Sequence, residues 1–226
     1  MLNIIAVYLF IVKYAGPKLM QNRKPFGLNN FTRIYNLYQI VSCIYLVQQM
    51  LEVTGTLNPY KCHTGSEIYD DPFKRKVFYF AVFLRTSEFL ETVVFVLRKK
   101  QNQVSWLHIY HHIAVISLAW VSFKFCSIKN DLAIGWINSA VHVVMYLYYF
   151  LSSFDRMKVI TNKTKQLITA MQITQLVLIM THIIHALAAC NVPKLYWLQL
   201  ANIVILIGMF LQFYFKSYRS GKIKTQ

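Results

Sequence analysis

The chain has 226 residues, of which 56% are apolar and only 14% charged, against roughly 25% charged in a soluble domain, so an ordinary soluble protein is excluded. Lysine and arginine outnumber aspartate and glutamate 24 to 8, a net charge of +16 that in a soluble chain would point to nucleic acid. Here the charges fall in short clusters between apolar runs of about 20 residues, the length that crosses ~30 Å of hydrocarbon, so the basicity belongs to membrane-flanking loops.

The apolar runs lie at about 1–15, 31–51, 76–98, 106–125, 131–151, 167–190 and 195–215. Lipid leaves helix as the state for such continuous runs, and they predict an all-α polytopic protein of seven transmembrane helices in one domain, 1–226, with a tail at 216–226. The first run, Met1 to Phe10 ahead of Lys13, is short for a span and lacks a signal-peptide cleavage pattern; it reads as an N-terminus missing its beginning. The long hydrophilic loop, Glu52 to Arg75, carries Gly55, Pro59, Gly65 and Pro72 as turn formers.

Alternate loops differ in charge. Lys18, Arg23 and Lys24, then Arg98, Lys99 and Lys100, then Arg156, Lys158, Lys163 and Lys165, then Lys216, Arg219, Lys222 and Lys224 share their loops with Asp155 as the one acid. The other loops mix Lys61, Lys74, Arg75, Lys76, Lys124, Lys129 and Lys194 with Glu52, Glu67, Asp70, Asp71 and Asp131. The positive-inside bias puts the first set, and the C-terminus, in the cytosol.

Ionisable groups inside the spans mark function or internal pairing. The third run carries Arg85, Glu88 and Glu91, with Thr92 adjacent, on one helical face; an ion pair locking helices together is the plain reading, though two acids against one base leave a surplus. The fourth opens with His108, His111 and His112, three imidazoles gathered by i, i+3, i+4 spacing near the cytosolic end, a pattern suited to a metal or to an acid–base and nucleophile cluster. The fifth puts Asn138, His142 and Tyr149 on one face, with Met145, Tyr146 and Tyr148 close by. The tyrosines alone read as an interfacial belt. The sixth adds Thr169, Gln172 and Gln175, then His182 and His185 towards the lumenal end, where interhelical hydrogen bonds are an equal reading.

One HxxHH box resembles those of membrane di-iron desaturases, but such chemistry needs several boxes. Of the seven histidines, His63 falls in the outer loop, so a metal is the weaker account. A seven-helix receptor or transporter remains a competitor, since span count does not separate them. Basic residues at the mouth (Arg98, Lys100, Lys165) beside buried imidazoles suit a polyanionic head such as coenzyme A, with a thioester inserted below.

Several stretches together resemble the ELO family of very-long-chain fatty acid elongases across nearly the whole chain. They are Arg85-Thr-Ser-Glu88-Phe-Leu-Glu91-Thr92, Val96-Leu-Arg98-Lys-Lys100, Asn102-Gln103-Val-Ser, His108-Ile-Tyr-His111-His112, Asn138-Ser-Ala-Val-His142-Val-Val-Met145-Tyr-Leu-Tyr148-Tyr149 and Thr169-Ala-Met-Gln172, preceded by Gly16-Pro17-Lys18 through Asn22-Arg-Lys-Pro25-Phe26. Arg85 and Glu91 depart from the family's usual Lys and Asp while keeping the charge, and the N-terminal stretch is short. The resemblance implies a 3-oxoacyl-CoA synthase of the endoplasmic reticulum with six helices around a tunnel, the first helix packing outside. Its substrates would be acyl-CoA and malonyl-CoA, with no permanently bound cofactor, no metal and no nucleic acid. Its partners would be the 3-oxoacyl-CoA reductase, dehydratase and enoyl-CoA reductase of the cycle.

In that frame His111 is the expected nucleophile, forming an acyl-imidazole, with a general-base role as the alternative. His142 would polarise the thioester with Asn138 orienting it, and His108 and His112 would hold the cluster. Arg98, Lys100 and Lys165 would bind phosphates; Gln103, Tyr148, Thr169 and Gln172 would orient the CoA or thioester, with Arg85 also in the cofactor-binding set and Glu88 and Glu91 structural. Lys222 and Lys224, near the cytosolic end, look like a dilysine retrieval signal. Cys62 and Cys190 lie at the oxidising face and are expected to pair, with Cys126 as competing partner and Cys43 free.

Overall fold

The computed structural model describes residues 1–62, 71–125 and 128–219. His63, Gly65, Glu67 and Asp70 of the long loop, Cys126, and the tail lysines Lys222 and Lys224 lie outside the described residues. Helices are α1 (Leu2–Met20), α2 (Asn29–Thr54), α3 (Pro72–Ser87), α4 (Phe89–Leu97), α5 (Trp106–Phe125), α6 (Ile128–Ser152), α7 (Lys158–Ala189) and α8 (Tyr196–Tyr214); among the described residues there is no strand.

Three elements differ from the sequence reading. The first helix runs beyond residue 15 to Met20, through Pro17, because a π-helical turn over Ile11–Ala15 precedes the ring and loosens the backbone where proline supplies no N–H and would crowd a carbonyl. The third expected helix is two, broken at Glu88. Thr86 Oγ1 donates to the Val82 carbonyl at 2.7 Å and Ser87 Oγ to that of Leu84 at 2.6 Å, the hydroxyl back-bonding that bends helices. The sixth begins at Lys158 instead of 167. Thr161 and Thr164 bond the carbonyls of Met157 and Ile160, and exposed lysines such as Lys163 and Lys165 carry the helix past its apolar stretch.

Packing partners close a ring: α2 lies against α3, α3 against α5, α5 against α8, α8 against α7, α7 against α6, and α6 returns to α2 in the most extensive pairing. Gly135 makes the α2–α6 approach close, since a Cβ there would stand 2.7 Å from the Met50 thioether. Leu46, Met50, Val77, Phe78, Leu84 and Leu132 pack one side of the ring, and Ile137, Leu176, Ile179, Ile183 and Ile203 the other. Outside it, α1 packs on α4 through Tyr8, Val12, Phe89 and Val96.

The ring's exterior carries exposed Ile34, Val41, Phe83 and Leu198, an apolar surface suited to lipid. Among the described residues four helices are long and apolar enough to cross a membrane: Leu2–Met20, Asn130–Ser152, Lys163–Ala189 and Tyr196–Tyr218. The remaining expected spans carry buried polar groups within their apolar runs: α2 with Asn36, Gln39 and Ser42, the broken α3–α4 with Arg85 and Glu88, and α5 with His112 and Ser122. A disulfide joins Cys62 to Cys190 at the end of α7, with Cα atoms 5.5 Å apart, while Cys43 is free and buried.

Candidate active site

Ser105 caps α5 by accepting the His108 amide at 3.2 Å, the usual N-cap bond to the third helical residue. The cap fixes where the box begins. His108, His111 and His112 then follow within the first turns of α5, and the ring sets them beside α3, α4 and α6.

Glu88, at the break between α3 and α4 and 1% exposed, is the anionic centre. Arg85 Nη1 donates to Glu88 Oε1, Nη2 donates to Ser139 Oγ at 2.8 Å, and Nη1 lies 2.7 Å from His142 Nδ1. The other side of the carboxylate faces His112, with Oε2 3.7 Å from its Nδ1. Guanidinium never accepts a hydrogen bond. An ionised carboxylate never donates one, so His142 Nδ1 accepts from Arg85 in one tautomer and donates to Glu88 in the other. Glu88 Oε1, 3.1 Å from the same Nδ1, is balanced by the arginine it shares.

Glu91 is not part of that pair. It accepts from Tyr146 Oη, with Tyr35 Oη at 3.5 Å, and Tyr35 in turn accepts from Gln39 Nε2 at 2.7 Å. This disposes of the surplus charge seen in the sequence: one acid is ion-paired, and the other is held by phenolic donors. On the far side Tyr8 Oη is 3.0 Å from Thr92 Oγ1, which is 2.9 Å from His108 Nε2. The first helix, expected only to pack outside, thus touches the box.

All six ring elements line a cavity of about 170 Å³, far above the roughly 10–15 Å³ that holds one water. Of the box and His142, His111 is the residue that lines it, together with Arg85, Asn138 and Ser139. Its ring is 5.5 Å from that of His112 and 6.0 Å from that of Phe210.

The contacts of the other residues expected at the site are as follows. Arg85, assigned to cofactor binding, spends its guanidinium on Glu88, His142 and Ser139, although it reaches the cavity wall. Arg85 is in contact with His142 Nδ1, and Asn138, expected to orient that ring, lines the cavity. Arg98, assigned to phosphate, bonds Asn29 Oδ1 at 2.9 Å and Thr32 Oγ1 at 3.5 Å, closing α4 onto the start of α2. Lys99 and Lys100 amides return to the Val96 and Phe95 carbonyls, and Lys99 takes φ +55°, a Schellman end that leaves Lys100 exposed beside Gln103 on the following turn. Lys165 is exposed on α7; Thr169 is buried against Tyr218 Oη at 3.2 Å, Gln172 Nε2 is 3.3 Å from Met145 Sδ, and the Tyr148 ring is tilted against that of Tyr149, 5.6 Å away. His182 is structural, its two nitrogens facing the Pro59 and Asn130 carbonyls at 2.6 and 3.1 Å, and His185 rests on Tyr60.

Tyr8, Tyr35, Gln39, Ser139 and Tyr146 escaped the sequence reading as site residues. A signal existed for four of them. Tyr35, Gln39 and Ser42 recur at helical spacing inside an apolar run, and Ser139 and Tyr146 flank His142 at offsets of three and four. As metal ligands, Glu91, His108 and His112 have donor atoms within 4.8 Å of one another, though Glu91 and His108 already hold the partners named above. The Cys62, His185 and Cys190 group is unavailable because its sulfurs form the disulfide.

The chain is 33% identical over 230 residues to human very long chain fatty acid elongase 1, covering 98% of this chain and 82% of that protein. It is 34% identical to very long chain fatty acid elongase 7 of Drosophila melanogaster, covering 96% and 69%. A very long chain fatty acid elongase of Aedes aegypti is 33% identical and is spanned over 62% of its length. The model of the ELO, GNS1/SUR4, family matches residues 1–226, and this chain belongs to that family.

Proposed function

We propose that the protein condenses a long-chain acyl-CoA with malonyl-CoA, giving a 3-oxoacyl-CoA, CoA and carbon dioxide. The observation that carries the reading is His111: it alone among the box histidines and His142 lines the cavity, while the others face carboxylate, guanidinium or hydroxyl partners. Family membership and the relatives' names supply the reaction class.

The ring of six helical elements is the barrel, crossing the membrane with α1 as a seventh span outside it, and the cavity is the acyl tunnel. His111 attacks the thioester carbonyl: a C–N bond forms, the C–S bond breaks, and CoA leaves as thiolate. Malonyl-CoA then loses carbon dioxide, and its enolate forms a C–C bond to the acyl carbon as the C–N bond breaks and His111 returns. His142, in the tautomer that accepts from Arg85 at Nδ1, has Nε2–H as the donor that stabilises the oxyanion and enolate oxygens. No resident cofactor or metal takes part. Lys100 and Lys165, with Gln103, Tyr148, Thr169 and Gln172, receive the CoA at the cytosolic mouth. The protein resides in the endoplasmic reticulum membrane with a cytosolic C-terminus, retrieved through Lys222 and Lys224, and hands product to the cycle's reductases and dehydratase.

The test is purified protein with labelled malonyl-CoA and a series of acyl-CoAs. Labelled 3-oxoacyl-CoA two carbons longer than the primer is expected; no condensation with any primer rejects the reading.

A further inference from the structure

The cavity is not apolar along its whole length. Away from His111 its wall includes Ser122 of α5, Asp131 of α6 and Gln199 of α8. Ser122 follows His111 by eleven residues on one helix, so this cluster lies ~16 Å along the axis from the box, at the Cys62–Cys190 end.

The cluster's hydrogen bonding is lopsided. Gln199, 6% exposed, donates Nε2–H to Ser122 Oγ at 2.7 Å and to Asp131 Oδ1 at 3.2 Å, and Tyr196 Oη donates to the same Oδ1 at 2.9 Å. Among the described residues Asp131 Oδ2 and Gln199 Oε1 are buried with no partner. Both are acceptors. A methyl group at the end of an acyl chain would seal them away from water unpaired, which is costly. Ser122, which accepts from Gln199, has one O–H to offer Asp131, so the pair of acceptors is still one donor short.

The identity of the donor follows from charge and access. A carboxylate tail end would face the Asp131 carboxylate and be repelled. An ammonium would cross the apolar cavity as a bare charge, the most expensive transfer available. A hydroxyl is neutral, passes at modest cost, and donates one hydrogen bond. Resting on the acyl-CoA reading above, we propose that this end of the cavity recognises a terminal hydroxyl, so that ω-hydroxyacyl-CoA esters are a preferred substrate class. A hydroxyl between Asp131 Oδ2 and Gln199 Oε1 replaces the missing donor, and a site built to bond a hydroxyl discriminates against the analogue lacking it more strongly than an apolar pocket discriminates against an added one.

The experiment compares ω-hydroxyacyl-CoA with unsubstituted acyl-CoA over matched chain lengths, by direct binding to the purified full chain and then by condensation. At the length that reaches the cluster the hydroxylated ester should bind about tenfold more tightly, as one hydrogen bond to a charged group allows. Gln199→Leu and, separately, Asp131→Asn should reduce that preference to near one or below while the unsubstituted ester still binds, which also shows that each variant is folded. Weaker binding of the hydroxylated ester at every length by the native protein overturns the proposal, as does equal binding, which would mean that water satisfies the two acceptors. A preference indifferent to both substitutions also overturns it. Hydroxyl-selective binding without any condensation would reject the elongase reading and leave this one standing; condensation without selectivity would do the reverse.

Discussion

Arg85 Nη1 stands 2.7 Å from Nδ1 of His142 while paired with Glu88, so one cation both neutralises the buried acid and favours the His142 tautomer with its proton on Nε2. Arg85→Met leaves Glu88 unpaired in the interior, costing about 3–5 kcal/mol of stability, and frees His142 to turn its Nδ1–H to Glu88. Condensation should fall by about two to three orders of magnitude. Arg85→Lys keeps the charge but not the fork that also reaches Ser139, and should retain activity within about tenfold. The double variant Arg85→Met, Glu88→Leu should regain thermal stability without regaining turnover. Equal activity of the Met and Lys variants would contradict the assignment.

The contact of α1 with the box gives a second expectation. Tyr8 stacks on Phe89 with centroids 4.0 Å apart and reaches His108 through Thr92. Tyr8→Phe keeps the ring and deletes one hydrogen bond, so the fold should persist and kcat should drop by about fivefold with KM unchanged. Steady-state kinetics in detergent decides this, and a pure KM effect would move Tyr8 out of the positioning chain.

Gly135 and Met50 both line the cavity. Since an added Cβ at Gly135 would press on the Met50 thioether, Gly135→Ala should push Met50 into the cavity and shift the product distribution towards shorter chains, measured by chromatography of products from mixed acyl-CoA primers. An unchanged distribution would mean that Met50 escapes elsewhere.

The Cys62–Cys190 disulfide ties the loop after α2 to the end of α7. Cys62→Ser should cost about 2–4 kcal/mol and lower Tm, with Cys190→Ser giving the same loss and the double variant no more. Non-reducing peptide mapping should recover the Cys62–Cys190 pair; a link from Cys62 to Cys126 would contradict it.

What the sequence made legible follows from periodicity and chemistry. His108, His111 and His112 declared themselves by spacing, as did the face of Arg85, Glu88 and Glu91, because ionisable groups inside apolar runs have no ordinary explanation. Helix edges were less legible: hydropathy ended the sixth helix at its charges, whereas Lys163 and Lys165 stay helical in water. The break at Glu88 was hidden because it is made by Thr86 and Ser87 hydroxyls, whose choice of carbonyl is a matter of three-dimensional geometry. The roles of Tyr146 and Tyr35 depend on facing Glu91 across helices, and a tyrosine in an apolar run reads the same whether it meets lipid or a carboxylate. Arg85 and Arg98 were assigned to ligands because a lone sequence shows charges without their internal partners.

The sharpest expectation concerns His111. If it carries the acyl group, native enzyme incubated with acyl-CoA alone should release one equivalent of free CoA, and the peptide holding His111 should gain the mass of the acyl chain. Adding malonyl-CoA should then discharge the adduct into 3-oxoacyl-CoA. An imidazole suits both halves because it attacks when neutral and leaves readily once acylated. The position of His111 on the cavity wall exposes it to the thioester, whereas His108 and His112 are engaged by Thr92 and Glu88. His111→Ala should lose the CoA burst and turnover together while still binding acyl-CoA. His142→Ala should bind acyl-CoA but acylate slowly, because the oxyanion loses its donor while the nucleophile remains. CoA release that depends strictly on malonyl-CoA, with no acylated peptide in fully active enzyme, would falsify the covalent route and leave His111 as a general base in a direct condensation.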